Sequence, residues 1–491
     1  MRIASRDLES KKILVIGAGV GGERVINELK RRLGNRVSII GILDDDPEKL
    51  GKRVEGIEVI ERIDKVGDIA EKSGANLAII AIPSATGKQI SRIVHLCSDA
   101  GIDYRIVPGI YDFITGHATI SSPLRKVRFE DLIKREPASI DVDMVRSMVK
   151  GKRILITGGA GSIGSEIVST LVQFSPEKLF VLDTNENTTM ELLWQLRDGR
   201  KMKEGQVVPI IADILNRDKM ERLMDDFRPD IIYHAAAKKH VPLMELFPEE
   251  AVETNVIGTH RLLDMAEKYD VKNFVLISTD KAVNPVNVMG ATKRMAELLV
   301  KEHSIGGMDA ISVRFGNVLG SAGSVIPLFR RQIEEGGPVT VTSPEIKRFF
   351  MTIPEAANLV IQASAFGKSG NTYVLEMGEQ IRILDLAKDM IELAGFVPGK
   401  DIEIKFTGLR PGEKMYEELY YDYERKMATS NEGTFSVSSD KGWKTYREDI
   451  SELERLVREL KRKELIEMIF RVVPEFSAQK SSFEEKVGGI V

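Results

Sequence analysis

The sequence predicts an α/β chain with two Rossmann-like parallel-sheet domains in tandem, the second with a smaller C-terminal lobe. Three observations lead there. At 491 residues the chain is too long for one ordinary core. A short apolar strand, a glycine loop and a helical pattern occur together twice, as "KKILVIGAGVGGERVINELKRRL" and "GKRILITGGAGSIGSEIVSTLVQF". Around both starts, apolar runs alternate with helical stretches, the pattern of a parallel sheet covered by helices.

Taken in order, the strands ILVIG, SIIGIL, LAIIAI and YRIVP run from Lys12 to about Pro108, so residues 1–115 form the first domain. Residues 116–150, with "GHATISSPLRKVRFEDLIKREPASIDVD", are polar and irregular and read as a connector with one short amphipathic piece. The second α/β domain begins at Lys152 and covers 151–325, with strands RILITG, LFVLD, VVPIIAD, IIYHAAA, FVLIST and AISVRFG. After Val325 the alternation loosens. "GGPVTVTSPEIKRFFMTIPEAANLVIQA" and "TGLRPGEKMYEELYYD" predict a lobe over 326–475 that interleaves with the second domain. Its "DISELERLVRELKRKELIEMIFRVV" reads as a charged amphipathic helical stretch whose charges form a solvated face, and 476–491 as a mobile tail.

Each glycine loop has the chemistry of a diphosphate cradle. Glycines permit the tight turn and let backbone amides approach an anion, and the helix N-terminus faces that anion with its positive end. The first loop presents Gly17, Gly19 and Gly22, followed by Asp44 at the end of "GILDDD". This is either a second nucleotide site or a set of glycines serving helix–strand packing. The second presents Gly158, Gly161, Ser162, Ile163 and Gly164, followed by Asp183 in "VLDTNE". An acid there can accept hydrogen bonds from an adenosine ribose. No arginine stands close to Asp183, which favours NAD over NADP. Asp213 and Ile214 close the third strand, where the acid can meet an adenine amino group. Ala235, Ala236 and Ala237 close the fourth, and their small side chains leave room for a cofactor ring.

Composition narrows the function classes. A net charge of −4, spread along the chain, argues against a nucleic-acid surface. The single cysteine, Cys97, excludes an internal disulfide and a cysteine metal cluster. Six histidines show no HExxH-type spacing, so no metal site is expected. No stretch reaches the ~18 apolar residues that span a bilayer, and the first residues carry no signal-peptide pattern. The expectation is a soluble, cytoplasmic protein without membrane insertion.

Six motifs then occur in one order: "TGGAGSIGSE", "HAAAKKHVPLME", "STDKAVNPVNVMGATKRMAE", "RFGNVLGSAGSVIPLF", "RFFMTIPEAA" and "GLRPGEKMYEEL". Together they resemble the extended short-chain dehydrogenase/reductase superfamily and, within it, the UDP-N-acetylglucosamine 4,6-dehydratases of polysaccharide biosynthesis. "FEDLIKREP" and "GILDDDPEKLGKRVEGIEVI" resemble the long branch of that family, whose members usually begin with membrane helices not found here. The resemblance implies a redox-neutral reaction on a UDP-sugar, with NAD as cofactor, and a homo-oligomer.

It also implies site residues. Thr279 would hydrogen-bond the carbon 4 oxygen, Asp280 would be the acid and Lys281 the base of the elimination. A lysine serves as base when burial or nearby positive charge lowers its pKa, and a carboxyl serves as donor when its pKa is raised. Met289 stands where the superfamily usually has tyrosine, a variation met among active members of this branch. Lys293, four residues on, would hold the nicotinamide ribose. Lys239 and His240 would line the sugar pocket, beside Lys238, where members often have an aromatic or aliphatic residue. Asn255 resembles a structural asparagine of the superfamily and reads equally as a helix-packing amide. Asn317, Arg348 and Arg410 would contact diphosphate or uridine, and Glu413 the uridine ribose. Two rivals stand beside the dehydratase: a 4-epimerase of the same fold, and a non-catalytic nucleotide sensor, which the missing tyrosine supports.

Overall fold

The computed structural model describes residues 11–107, 127, 131, 140–199, 202–305, 307–321 and 323–477. Most of the expected connector and nearly all of the expected tail lie outside the described residues, as do 108–115. The chain divides into two compact units. One comprises 1–136, 329–340 and 385–405, the other 137–328, 341–384 and 406–491. The stretches 329–340 and 385–405, read from sequence as part of the C-terminal lobe, thus group with the first unit.

In the first unit, β1 (Lys12–Ile16), β2 (Ser38–Leu43), β3 (Arg53–Val54), β4 (Ile57–Glu61), β5 (Leu77–Ile80) and β6 (Asp103–Ile106) form one sheet in the order β3-β4-β2-β1-β5-β6. All pairings are parallel except β3 with β4. β5 is a continuous buried run, as expected of a strand covered on both faces. The Gly87–Asp99 helix starts at a capping box, Thr86 with Gln89.

The second unit repeats the plan. β7 (Arg153–Thr157), β8 (Lys178–Asp183), β9 (Val207–Ile211), β10 (Ile231–His234), β11 (Asn273–Ile277), β12 (Asp309–Arg314), β13 (Thr372–Leu375), β14 (Arg425–Ala428) and β15 (Thr434–Ser438) share one sheet. Their order is β14-β15-β13-β12-β11-β10-β7-β8-β9, with β9 to β13 parallel and β15 and β14 antiparallel. The order reverses between β7 and β10, the topological switch point where open α/β sheets bind ligands beyond the carboxyl ends of their strands. The fold class read from the sequence is the one observed.

The Val288–Glu302 helix runs through the middle of this unit. Asn287 caps it by accepting from the Gly290 amide, and every residue from Val288 to Val300 is buried, Lys293, Arg294 and Glu297 included. Arg294 and Glu297 pair with each other at 3.0 Å. Arg314, fully buried at the end of β12, donates to Glu297 (2.7 and 3.0 Å) and to Glu424 (2.9 and 3.2 Å). Glu297 also accepts from the Ser278 hydroxyl at 2.6 Å. The network joins β12, the central helix and the 419–424 segment, whose Tyr421 hydroxyl donates to the Ala282 carbonyl at 2.7 Å.

The charged C-terminal stretch is helical, as its amphipathic pattern predicts. It forms two helices, Tyr446–Arg458 and Arg462–Val472, broken where Leu460 takes φ +53°. Its apolar face, with Ile450, Leu453, Leu465 and Ile469, is buried in the same core as Val288 and Met295. Leucine and isoleucine at helical spacing outweigh the charges on the opposite face.

Candidate active site

The glycine loop after β7 is shaped by close approach. Gly158 has φ +64°, and a Cβ there would lie 2.6 Å from the Ala236 amide nitrogen. A side chain at Gly158 would therefore collide with the end of β10, where Ala235, Ala236 and Ala237 are partly or fully exposed. Gly164 lies so close to the Gly158 carbonyl that a Cβ would sit 2.2 Å from it. Gly161 is the N-cap of the Ser162–Leu171 helix and gives no side-chain cap, so the first amides, Ser162 and Ile163 among them, stand where an anion can use them. Asp183 accepts from the Ala160 amide at 3.0 Å and the Asn185 amide at 3.0 Å. No lysine or arginine pairs with it among the described residues. Asp213 is exposed and accepts from the Leu215 amide, while Ile214 is buried.

The first unit builds the same device on its own residues. Gly17 has φ +108°, and a Cβ on Gly22 would lie 2.0 Å from the Gly17 carbonyl, whereas one on Gly19 would meet open space. Asp44 accepts from the Ala18 amide at 2.7 Å and the Asp46 amide at 2.9 Å, as Asp183 does from its counterparts. One difference matters. Lys49 Nζ stands 3.3 Å from Asp44. Burial alone would raise the Asp44 carboxyl, but the two amides and Lys49 hold it below the usual range.

Beyond β11 the chain turns through Thr279, Asp280 and Lys281. The Asp280 amide donates to the Phe315 carbonyl at 2.9 Å, anchoring this turn to the end of β12. Gly290 lets the central helix approach it, since a Cβ there would lie 2.2 Å from the Lys281 carbonyl oxygen. Asp280 is completely buried. Its Oδ1 accepts from the Thr279 hydroxyl at 2.9 Å and from Lys281 Nζ at 3.0 Å. Lys281 also donates to Asn317 Oδ1 at 3.2 Å and lies 3.8 Å from Glu417. Asp280 Oδ2 and Glu417 Oε2 are buried without a hydrogen-bond partner among the described residues. Unsatisfied buried oxygens are costly, and they mark places where a proton or a ligand donor is due.

The charge states differ from the expectation. Burial opposes the Lys281 ammonium, but Asp280 and Glu417 outweigh it and raise Lys281 above the ordinary lysine range. The lysine that burial does push down, to about 8 against the opposing pull of Glu297, is Lys293. Glu417 is raised by burial and by the Asp280 charge, although Lys281 pulls the other way. The sequence reading missed Glu417. Its signal was present in "GLRPGEKMYEEL", but no spacing rule places residue 417 beside residue 281.

The other expected residues divide. Met289 is buried in the core and has no proton to exchange. Arg348 is engaged inside the protein. Its guanidinium donates to the carbonyls of Lys347 (2.7 Å), Met415 (3.2 Å) and Lys414 (2.7 Å), reaches Glu413 at 3.3 Å, and lies 3.8 Å from Glu417. That geometry makes it a brace for the 413–417 segment and leaves little for a diphosphate. Arg410 is exposed, and its guanidinium has no partner among the described residues. Glu413 accepts from the Arg410 amide at 3.1 Å, closing the turn at Gly412. Asn287 donates to the Gly412 carbonyl at 2.9 Å, which ties that turn to the start of the central helix. Lys239 and His240 are exposed after β10, with the His240 ring against Gly323. Asn255 sits in a π-helical turn, Glu253–Gly258, and clamps both backbone groups of Lys238 at 2.8 and 3.0 Å. It is a structural amide.

Residues 154–439 match the family described as "Polysaccharide biosynthesis protein", and residues 2–108 match "CoA-binding domain". The chain is 43% identical over 417 residues to the capsular polysaccharide biosynthesis protein CapD of Staphylococcus aureus, covering 84% of this chain and 69% of that protein. It is 35% identical over 283 residues to a UDP-glucose 4-epimerase of Rickettsia canadensis, covering 55% of this chain and 78% of that protein. Among solved structures, Pen from Bacillus thuringiensis matches with a TM-score of 0.55 and 37% identity, over 59% of this chain and 89% of that one. With the motifs in order on a doubly wound sheet and these matches over most of its length, the chain belongs to the polysaccharide biosynthesis family of extended short-chain dehydrogenases/reductases.

Proposed function

We propose that the protein is a UDP-N-acetylglucosamine 4,6-dehydratase, converting the sugar nucleotide to a UDP-4-keto-6-deoxy sugar and water. The observation that carries this reading is the buried Asp280–Lys281 pair beside Glu417, at the carboxyl end of a strand two places from the glycine loop. NAD fits the second unit: the Gly158 loop leaves backbone where a side chain would collide, and Asp183 keeps acceptor capacity without a paired cation. When bound, NAD supplies a reversible two-electron acceptor for carbon 4. Gly158, Gly161, Ser162, Ile163 and Gly164 would hold its diphosphate, Asp183 its ribose, and Lys293 its nicotinamide ribose.

Once carbon 4 is a ketone, the carbon 5 hydrogen is acidic. Lys281 takes that proton, and Asp280 delivers one to the carbon 6 oxygen, which leaves as water. This needs a neutral amine and a neutral carboxyl. The observed ion pair, 3.0 Å apart, is one proton transfer from that state, and the elimination returns it to the ion pair. The carbon 4 hydroxyl proton would leave through the Thr279 hydroxyl or water. It would come back to the pair after Lys281 has returned a proton to carbon 5 and the electron pair has returned to carbon 6, so the full cycle yields only the product and water. Thr279, bonded to Asp280, orders the turn and offers its hydroxyl to the sugar. In this reading Arg410 and Glu413 would take the nucleotide end, Asn317 would act beside Lys281, to which it is hydrogen-bonded, and Lys239 and His240 would line the sugar. A homo-oligomer working on surface polysaccharide precursors is part of the reading.

A 4-epimerase is the second reading, favoured by the 35% identity to a protein of that name. The aspartate–lysine pair at 280–281 and the methionine at 289 weigh against it, because epimerisation needs no acid–base pair for elimination at carbon 5. Incubation with UDP-N-acetylglucosamine and mass spectrometry separates the readings. Loss of one water is expected. Unchanged mass with a changed configuration would establish the epimerase, and no turnover would leave a nucleotide sensor.

A further inference from the structure

A histidine–carboxylate cluster lies away from the Asp280 site. His260 and Asp264 are four residues apart on the Thr259–Lys268 helix, so they share one face. His303, at the C-cap of the central helix, completes the group, and one ligand atom from each of the three lies within 4.8 Å of the others. The sequence shows no such ligand set because the third member is 39 residues from Asp264 along the chain.

The hydrogen bonds around His303 are those of a metal ligand. Its Nδ1 lies 2.9 Å from the Leu299 carbonyl oxygen, which can only accept, so Nδ1 carries the hydrogen. Its Nε2 then presents a lone pair to Asp264 Oδ1 at 3.1 Å. Two acceptors face each other there unless a cation or an added proton stands between them. A ring N–H held by a backbone carbonyl is also the outer contact that orients a metal-bound imidazole. His260 Nε2 is 3.4 Å from Asp264 Oδ2, and His260 Nδ1 is buried without a partner among the described residues. Zinc bonds of about 2.0–2.2 Å to nitrogen and oxygen put tetrahedral ligand atoms roughly 3.3 Å apart; the 3.1 and 3.4 Å contacts reach different oxygens of Asp264, and with one ligand atom from each residue within 4.8 Å of the others, an ion would draw the three side chains together. Tyr446 closes the site, its ring centroid 5.8 Å from His260 and 5.2 Å from His303. Arg447 opposes a cation, and Asp264, Glu267 and Glu454 outnumber it.

We propose that His260, Asp264 and His303 bind a first-row divalent cation, zinc by the chemistry of two imidazoles and a carboxylate, with one coordination position left for solvent. The ion braces the far end of the helix that carries Met289 and Lys293. This inference is independent of the reaction assigned above.

The test uses the full chain, stripped with a chelator and titrated with Co²⁺. One equivalent should bind with a ligand-field absorption spectrum of four-coordinate type, be displaced by Zn²⁺, and raise the unfolding temperature. Asp264→Asn should weaken cobalt binding at least about tenfold, the scale on which even outer-shell partners act, while keeping the metal-free unfolding temperature. His260→Gln serves as a second variant should the first fail to fold. Absence of stoichiometric cobalt binding to the wild type, or equal affinity in the wild type and both variants, overturns the proposal. An imidazolium signal from His303 in place of metal uptake would identify a simple histidine–carboxylate ion pair instead.

Discussion

At the scale of residues, the site works through opposed effects on two lysines. Lys293 sits among apolar groups, and burial brings it down to about 8. Lys281 has two carboxylates against it and stays charged. The working pair carries one proton, shared between Asp280 and Lys281, so activity should fall as pH rises far enough to strip that proton from Lys281. Glu417→Gln removes one of the carboxylates that raise Lys281. The basic limb of the kcat/KM profile should therefore move to lower pH, as a pH–rate series with UDP-N-acetylglucosamine would show. Lys281→Ala should lower kcat by about 10²–10⁴-fold, the range of general acid–base catalysis, without loss of bound dinucleotide. An unchanged rate would remove Lys281 from the mechanism. Asp280 and Lys281 were legible in the sequence as adjacent letters after a strand. Their charge states were not, because these depend on Glu417, 136 residues from Lys281 along the chain.

At the scale of elements, the turn after β11 and the start of the central helix behave as one piece. Gly290 allows the contact, because any Cβ at that position would come within 2.2 Å of the Lys281 carbonyl oxygen. Gly290→Ala must push the helix off the turn. We expect a loss of about 1–3 kcal/mol in stability, the usual cost of overpacking, with a fall in kcat larger than the change in KM. Urea unfolding and steady-state kinetics on one preparation would check both. The strands and glycine loops were readable because their periodicity and turn residues are local. The amphipathic spacing of the C-terminal helices was readable, but not the core that takes their apolar face, because no local pattern names the partner.

At the scale of the whole molecule, two similar glycine loops are not equivalent. Asp44 has Lys49 at 3.3 Å and Asp183 has no such cation among the described residues. One NAD per chain is expected by calorimetry. Asp183→Ala should abolish that binding and Asp44→Ala should leave it intact; two equivalents would show that the first unit takes NAD as well. The buried network around Arg314 sets the acid limit of the fold. Burial would raise Glu297, but Arg314 and Arg294 outweigh it and bring it from the ordinary 4.5 to about 2. A depressed carboxyl contributes stability that is complete above its unfolded pKa and is lost as pH falls through the folded value. Unfolding free energy should thus decline between about 4.5 and 2 from this group. Arg314→Met, which leaves the buried Glu297 and Glu424 to share Arg294, should cost about 3–5 kcal/mol by denaturant titration. By itself the sequence determined what short-range chemistry can specify: the two sheets, both glycine loops, the acids that follow them, and an adjacent acid–base pair. Only the tertiary structure decided which charges meet. It brought Glu417 to Lys281, Arg348 to Glu417, and His303 to Asp264, because contacts between distant segments depend on how the sheets and helices close over one another, and no local pattern records that.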